Sequence, residues 1–342
     1  MDGHREGDLV RVGGDARQRF HDARGYGRPA GGNEVLLAPV EAAHLLFRGD
    51  LDAVDGDGFA AFLERQPEAV GAGFLAYADL RERGYYLAPA REGWVADPRT
   101  DADFAVFPRG NGPGENGVAY WVRVVGERQT LPAGALGDVV LAVVDEEGEV
   151  TYFETSRPSP AGETPDEPPP AAGTLLADRV VAWNPPAALY AEAFYGQPLA
   201  GRAGDPAGPV QLSLVEAAHL AAAGALDIDG GAGAVRERGR TVEGDRFDRR
   251  LAAYTALRDA GYVPKTGFKF GADFRTYTAV ESVEELGHSE ALVRVCPPDV
   301  TFAPRELSLD VRLAGGVRKR LWYALVDGPG HIEWLEVGRL TP

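Results

Sequence analysis

Apolar and polar positions along the chain fall into two successive sets. Near the start, alternation over Glu34–Pro39 predicts a strand, and Val40–Phe47 follows with apolar residues at helical spacing. The same pairing returns at Pro209–Leu214 and Val215–Ala223. A further helix is expected in part of Phe59–Gly84 and again over Phe247–Ala260. Each ends at a Gly-Tyr pair, so Gly84 and Gly261 stand where a C-cap glycine belongs. β-Rich segments come next. In the second set they are Phe268–Val280, Ala291–Cys296 and Leu321–Val337, the last folded at the turn Asp327-Gly328-Pro329-Gly330. A short helix is expected at Arg305–Leu313.

The residues repeat as well as the pattern. VEAAHL occurs at Val40–Leu45 and at Val215–Leu220, and LRERGYY (Leu80–Tyr86) answers LRDAGYV (Leu257–Val263). ADF recurs at Ala102–Phe104 and Ala272–Phe274, WVRV (Trp121–Val124) answers LVRV (Leu292–Val295), and Leu141–Glu154 answers Tyr323–Glu336. The period, about 175 residues, is far too long for a solenoid and implies a duplicated domain. Between the copies, Ser156–Gly173 is proline-rich and acidic without apolar period, and reads as a linker. The expected fold class is α/β, mixed, in an internally duplicated chain. Residues 1–95 form a helical/β N-terminal subdomain and 96–155 a mixed-sheet subdomain; after a linker at 156–173, the pair recurs as 174–262 and 263–342.

Composition narrows the setting. No apolar run approaches eighteen residues, so no membrane-spanning helix is expected. The N-terminus is polar and of mixed charge, unlike a signal peptide. The lone Cys296 excludes an internal disulfide and a cysteine-based zinc cluster. A cytoplasmic location is the default. The chain carries 52 acidic against 35 basic residues, a net charge of −17. Its three lysines are Lys265, Lys269 and Lys319. Such an acidic, lysine-poor chain looks like one from a salt-accumulating halophile. An acidic surface ordinarily argues against nucleic acid, but concentrated salt screens long-range repulsion to a few ångströms.

Chemistry concentrates in the second copy. Tyr277, His288 and Lys319 lie there, while the aligned positions of the first copy hold Phe107, Gly117 and Gly137. A duplicate that keeps its fold signals and loses all three residues points to chemistry in one copy only. Tyr, His and Lys form a metal-free kit for cleaving a phosphodiester. A 2′-hydroxyl must lose a proton, the 5′-oxygen must gain one, and phosphorane charge must be balanced. A histidine, with reference pKa about 6.5, serves as acid or base near neutrality. A tyrosine, near 10, acts as a base only where positive charge favours phenolate. The residues alone leave these two roles interchangeable. Each member also has a plain structural reading: Tyr277 as a strand-face aromatic, His288 as a turn residue, Lys319 as part of a solvated charge run. His44 and His219 recur in both copies within a helix and read as fold residues.

KTGFKFGADFR…Tyr277…His288-Ser-Glu-Ala-Leu-Val…Arg312…Lys319 resembles the archaeal tRNA-splicing endonuclease, in its duplicated-subunit form, over the whole chain. The family's usual aromatic at Ala291 is missing. The resemblance implies Tyr277 as base, His288 as acid and Lys319 as transition-state stabiliser, with no metal and no cofactor. It implies 2′,3′-cyclic phosphate and 5′-hydroxyl ends, precursor tRNA with a bulge–helix–bulge as substrate, and a homodimer, since one chain supplies one site and an intron has two ends. Arg312, and Trp334 less specifically, match the pair that sandwiches a flipped base. Arg318, Lys319 and Arg320 join Arg312 in Val311–Val326, a basic island without acidic residues. The acidic hairpin Asp145-Glu146-Glu147-Gly148-Glu149 is expected either to dock into the partner's catalytic half or to be a solvated turn. The alternative from another class is a non-catalytic RNA-binding or assembly subunit.

Overall fold

The computed structural model describes residues 1–112, 117–201, 205 and 207–342. The chain divides into two compact units. The first is Met1–Ser156 with Thr301–Ser308 and Gly338–Pro342; the second is Arg157–Val300 with Leu309–Val337. Both are mixed α/β, as expected.

In the second unit a small sheet runs in the order Gln197–Pro198, Val210–Ser213, Arg179–Ala182, Ala171–Leu175, Leu226–Asp227. The helix Leu214–Ala222 starts directly after Val210–Ser213. Ser213 and Glu216 cap it reciprocally: the Ser213 hydroxyl accepts from the Glu216 N–H at 3.2 Å, and Glu216 accepts from the Ser213 N–H at 3.0 Å. The helix Arg246–Asp259 stops at Gly261, whose φ of 82° needs no Cβ, with the Tyr262 N–H bonded to the Leu257 carbonyl. Gly84, with φ 89°, ends Glu68–Glu82 in the same way.

The next sheet of that unit runs Val263–Thr266, Phe274–Tyr277, Ala291–Cys296, Arg320–Gly328, His331–Leu340. Neighbours are antiparallel except Ala291–Cys296 beside Arg320–Gly328. A parallel pair needs a crossover, and the helix Pro304–Gly316 lies in that connection. Phe247, Tyr254, Phe274, Tyr277 and Trp322 are all buried in one core.

The first unit holds a sheet with corresponding registers. Its strands Tyr86–Pro89, Phe104–Phe107, Tyr120–Gly126, Val140–Val144 and Val150–Ser156 follow the same order. Tyr86 faces Phe107 as Val263 faces Tyr277, and Phe104 faces Val122 as Phe274 faces Val293. Val140 faces Val122 where Trp322 faces Val293.

Several elements depart from the pattern-based expectation. Asp2–Glu6 and Leu9–Val12 are strands. Phe268–Val280 is not one β-segment: only Phe274–Tyr277 is strand, after a 3-10 turn at Phe268–Phe270. A helix at Gly231–Glu243 was not expected, because glycine is a poor helix former. At Gly239 glycine is required instead, since a Cβ there would stand 2.3 Å from the Phe247 ring. The segment 157–170 contains no regular element, yet it is strapped to the second unit. Gly162, Glu163 and Thr164 donate backbone N–H groups to the carbonyls of Ala260 (2.6 Å), Thr278 (2.8 Å) and Gly261 (2.9 Å). Asp166 is bonded by Tyr195 and His219. Composition misses such a hold because it rests on backbone groups and one carboxylate, not on an apolar period.

Candidate active site

Strand order brings the three sequence candidates to one end of one sheet. Tyr277 is the last residue of Phe274–Tyr277. The next strand, Ala291–Cys296, is antiparallel to it with Thr276 facing Ala291, so the chain enters that strand beside Tyr277. Arg320–Gly328 is parallel to Ala291–Cys296 with Ala291 facing Arg320, so Lys319 enters at the same end. Backbone bonds fix this alignment: the Glu290 N–H to the Thr276 carbonyl and the Arg320 N–H to the Glu290 carbonyl, both 2.9 Å. With strands about 4.8 Å apart, Tyr277 and Lys319 backbones stand about 10 Å from one another. His288 lies on the loop that joins Tyr277 to Ala291.

Each side chain is held differently. Tyr277 is buried, with its ring edge-on to Phe194 at 5.7 Å between centroids. His288 is exposed, whereas its neighbour Ser289 is buried. Lys319 is half-buried and donates its ammonium to the Ser289 carbonyl. Arg318 takes a left-handed φ of 55°, and the Lys319 N–H bonds the Ala314 carbonyl at 2.9 Å, so the helix end delivers Lys319 directly to its strand.

Sequence reasoning passed over Arg275, on the Tyr277 strand, and Phe268, in the turn that precedes that strand. Arg275 shares a strand face with Tyr277, two residues away, and its guanidinium lies 5.7 Å from the centre of the Tyr277 ring. Partial burial, and then Arg275, hold the Lys319 ammonium below its ordinary pKa, with Glu290 opposing. The Arg275 guanidinium therefore bears on both the Tyr277 ring and the Lys319 ammonium. Period-two spacing from Tyr277 was the available signal. Phe268 is 85% exposed, in the turn whose Phe270 ring lies 5.8 Å from the Lys319 ammonium. No periodicity marks it.

The basic residues divide. Arg312 and Arg318 are exposed. Arg320 is exposed too, but its guanidinium lies 4.8 Å over the Trp322 ring and 3.8 Å from Glu336. Trp334 is half-buried, edge-on to Trp322 at 6.0 Å between ring centroids. That contact favours packing over base stacking. Trp334→Ala is therefore expected to lower unfolding free energy by about 2 kcal/mol while RNA affinity moves less than about threefold. Loss of a stacked base would weaken binding by about 1–3 kcal/mol. Denaturant unfolding and RNA titration of the variant separate the two.

The first unit lacks the set at the equivalent end. Phe107 is buried in its strand, Gly117 has no side chain, and Gly137 donates its N–H to the Thr155 hydroxyl at 2.9 Å. The acidic hairpin of this unit is partly committed to itself. The Asp145 carboxylate accepts the N–H groups of Glu147 and Glu149, both at 2.9 Å, and Glu146 pairs with Arg128. Glu147 and Glu149 are exposed. His44 and His219 are buried in their helices, consistent with fold roles.

The tRNA intron endonuclease catalytic C-terminal domain, as a family model, matches residues 247–334. The N-terminal domain of the same family matches twice, at 1–64 and 171–237. The chain is 60% identical over 338 residues to a tRNA-splicing endonuclease of Haloarcula marismortui, covering 98% of each. It is 58% identical over 345 residues to that of Haloferax volcanii, covering all of each. It is 40% identical over 363 residues to that of Methanosarcina mazei, covering 98% of this chain and 97% of the relative.

Proposed function

The chain belongs to the tRNA intron endonuclease family, and we propose that it excises introns from precursor tRNA by cutting bulge–helix–bulge RNA at the sheet end of the second unit. One observation carries the reading. Strand register brings the chain at Tyr277 and at Lys319 to that end, with His288 on the adjoining loop, and the equivalent positions of the first unit hold none of the three. Tyr277, its ring beside the Arg275 guanidinium, takes the 2′-hydroxyl proton as base. The 2′-oxygen bonds to phosphorus, the bond from phosphorus to the 5′-oxygen breaks, and His288 as imidazolium protonates that oxygen. Lys319 balances charge on the non-bridging oxygens. The products are a 2′,3′-cyclic phosphate and a 5′-hydroxyl. Arg312 and Arg318 bind phosphates, and exposed Phe268 offers a face for a splayed base.

One site per chain and two cuts per intron call for a homodimer, with Glu147 and Glu149 as the acidic groups available for docking into the partner. The test is cleavage of three synthetic RNAs: a bulge–helix–bulge, the same helix with both bulges paired, and one with a single bulge. The first is expected to be cut in both bulges and the paired helix left intact. Equal cutting of the paired helix would contradict the reading.

A further inference from the structure

Each unit carries a tyrosine, a histidine and an arginine gathered in one place. In the second unit they are Tyr195, His219 and Arg258, and a carboxylate sits among them. Asp166, from the strap, accepts from the Tyr195 hydroxyl at 2.5 Å, pairs with the His219 Nε2 at 2.8 Å, and lies 3.6 Å from the Arg258 guanidinium.

The first unit repeats the cradle with Tyr26, His44 and Arg81. Arg81 donates to the Arg24 carbonyl at 2.9 Å, as Arg258 donates to the Ala193 carbonyl at 3.1 Å. The Arg81 guanidinium lies 4.2 Å over Tyr26, as that of Arg258 lies 3.8 Å over Tyr195. Tyr77 stands edge-on to His44 at 5.4 Å, as Tyr254 does to His219 at 5.4 Å.

What differs is the occupant. Among the described residues no carboxylate is bonded to Tyr26, His44 or Arg81. The Tyr26 hydroxyl and His44 Nδ1 bond each other at 2.9 Å instead, and the buried Arg81 Nη1 has no partner. With Arg24, Arg48 and the exposed Glu82 these residues line a cavity of about 400 Å³. Asp50 is already taken up by Arg24 at 2.7 Å and Arg48 at 3.0 Å. The backbone track beside the cradle is open too. A Cβ on Gly261 would meet the strap's Gly162 at 2.8 Å, whereas one on Gly84 would meet nothing within 4 Å.

We infer that the first unit is a docking seat for an extended acidic peptide segment, whose aspartate carboxylate is bound by Tyr26, His44 and Arg81 as Asp166 is bound in the second unit. The occupied copy supplies the chemistry: backbone N–H groups pair with carbonyls at a helix C-cap, and one carboxylate enters a cavity that presents an arginine, an imidazole and a phenol. Arg81, with its unpartnered Nη1, suits a carboxylate, and Arg24, Arg48 and Arg81 outnumber Asp50 and Glu82 around the seat. Burial, and then Arg81 and Arg48, push the His44 pKa down to about 4. A bound carboxylate opposes this and raises it.

The probe is a fluorescent peptide of residues 162–168 titrated into the intact chain. Saturable binding is expected, weakened tenfold or more by Arg81→Gln in the chain or by asparagine for the peptide's aspartate. The second change leaves the protein untouched, so a folding defect cannot mimic it. The His44 imidazole is expected to titrate at higher pH when peptide is bound. Failure of the peptide to bind would overturn the inference. So would binding indifferent to Arg81→Gln, which would mean displacement of the native strap. Inorganic phosphate or a short RNA that occupies the seat while the peptide does not would contradict it also, and would mark a phosphate site.

Discussion

Tyr277→Phe and His288→Ala are each expected to slow RNA cleavage by about a hundredfold or more while leaving unfolding nearly unchanged. Proton transfer by a positioned side chain contributes about 10²–10⁴-fold, and each substitution removes one such transfer. Neither disturbs the sheet. Phe107 already occupies the position equivalent to Tyr277 in the first unit, buried in a strand of the same register. A phenylalanine at 277 keeps the edge-on contact with Phe194 and loses only the hydroxyl. His288 is exposed on a loop, so truncating it leaves no cavity. Single-turnover cleavage beside denaturant unfolding gives the answer. A Tyr277→Phe enzyme within a few-fold of wild type would remove the hydroxyl from the chemistry and return Tyr277 to the core.

Lys265→Ala is expected to cost about 3–5 kcal/mol of stability at neutral pH, the range for stripping one partner from a buried ion pair. The Lys265 ammonium bonds the Glu216 carboxylate at 2.7 Å and the carbonyls of Gly196 and Phe194 at 2.9 and 3.1 Å. Burial works to raise the Glu216 pKa, but Lys265 and the Ser213 and Gly196 amides bring it to about 2, from an ordinary 4.5. The first unit shows the same carboxyl without its cation. Ala88 faces Ala105 where Lys265 faces Arg275. There Glu41 is pushed up to about 7 by burial, although Gly27, Ala38 and Trp94 donate to it.

The sign of the pH dependence follows. In wild type, Glu216 contributes stability above about pH 4.5 that is lost as pH falls toward 2. In Lys265→Ala a raised Glu216 makes stability fall as pH climbs from about 4.5 through the new pKa. The deficit of the variant therefore widens between acidic and neutral pH. Unfolding midpoints measured at both ends check this, and a deficit independent of pH would contradict it. Because Lys265 also holds the carbonyl of Phe194, which packs on Tyr277, the variant is expected to lose cleavage rate as well.

The correspondence of the two sheets was readable in the sequence because repeated strings fix which strands correspond. The parallel pairing of Ala291–Cys296 with Arg320–Gly328, which brings Lys319 to the Tyr277 end, comes from the structure. The strap at 157–170 was not readable, since proline-rich composition says nothing of where backbone N–H groups or Asp166 go. The helix Gly231–Glu243 was hidden by glycines, of which Gly239 is explained only by the Phe247 ring against it. Arg275 was overlooked because its importance lies across the strand face. For Arg320 and Trp334, charge and aromaticity suggested RNA, and the partners found are Glu336 and Trp322.

The central claim is that the second unit cuts RNA with its own side chains. Its most direct test is cleavage of a bulge–helix–bulge RNA in excess EDTA, with the new ends analysed. The account predicts undiminished cutting and only 2′,3′-cyclic phosphate and 5′-hydroxyl ends. Binding without cutting, or 3′-hydroxyl and 5′-phosphate ends, would contradict it.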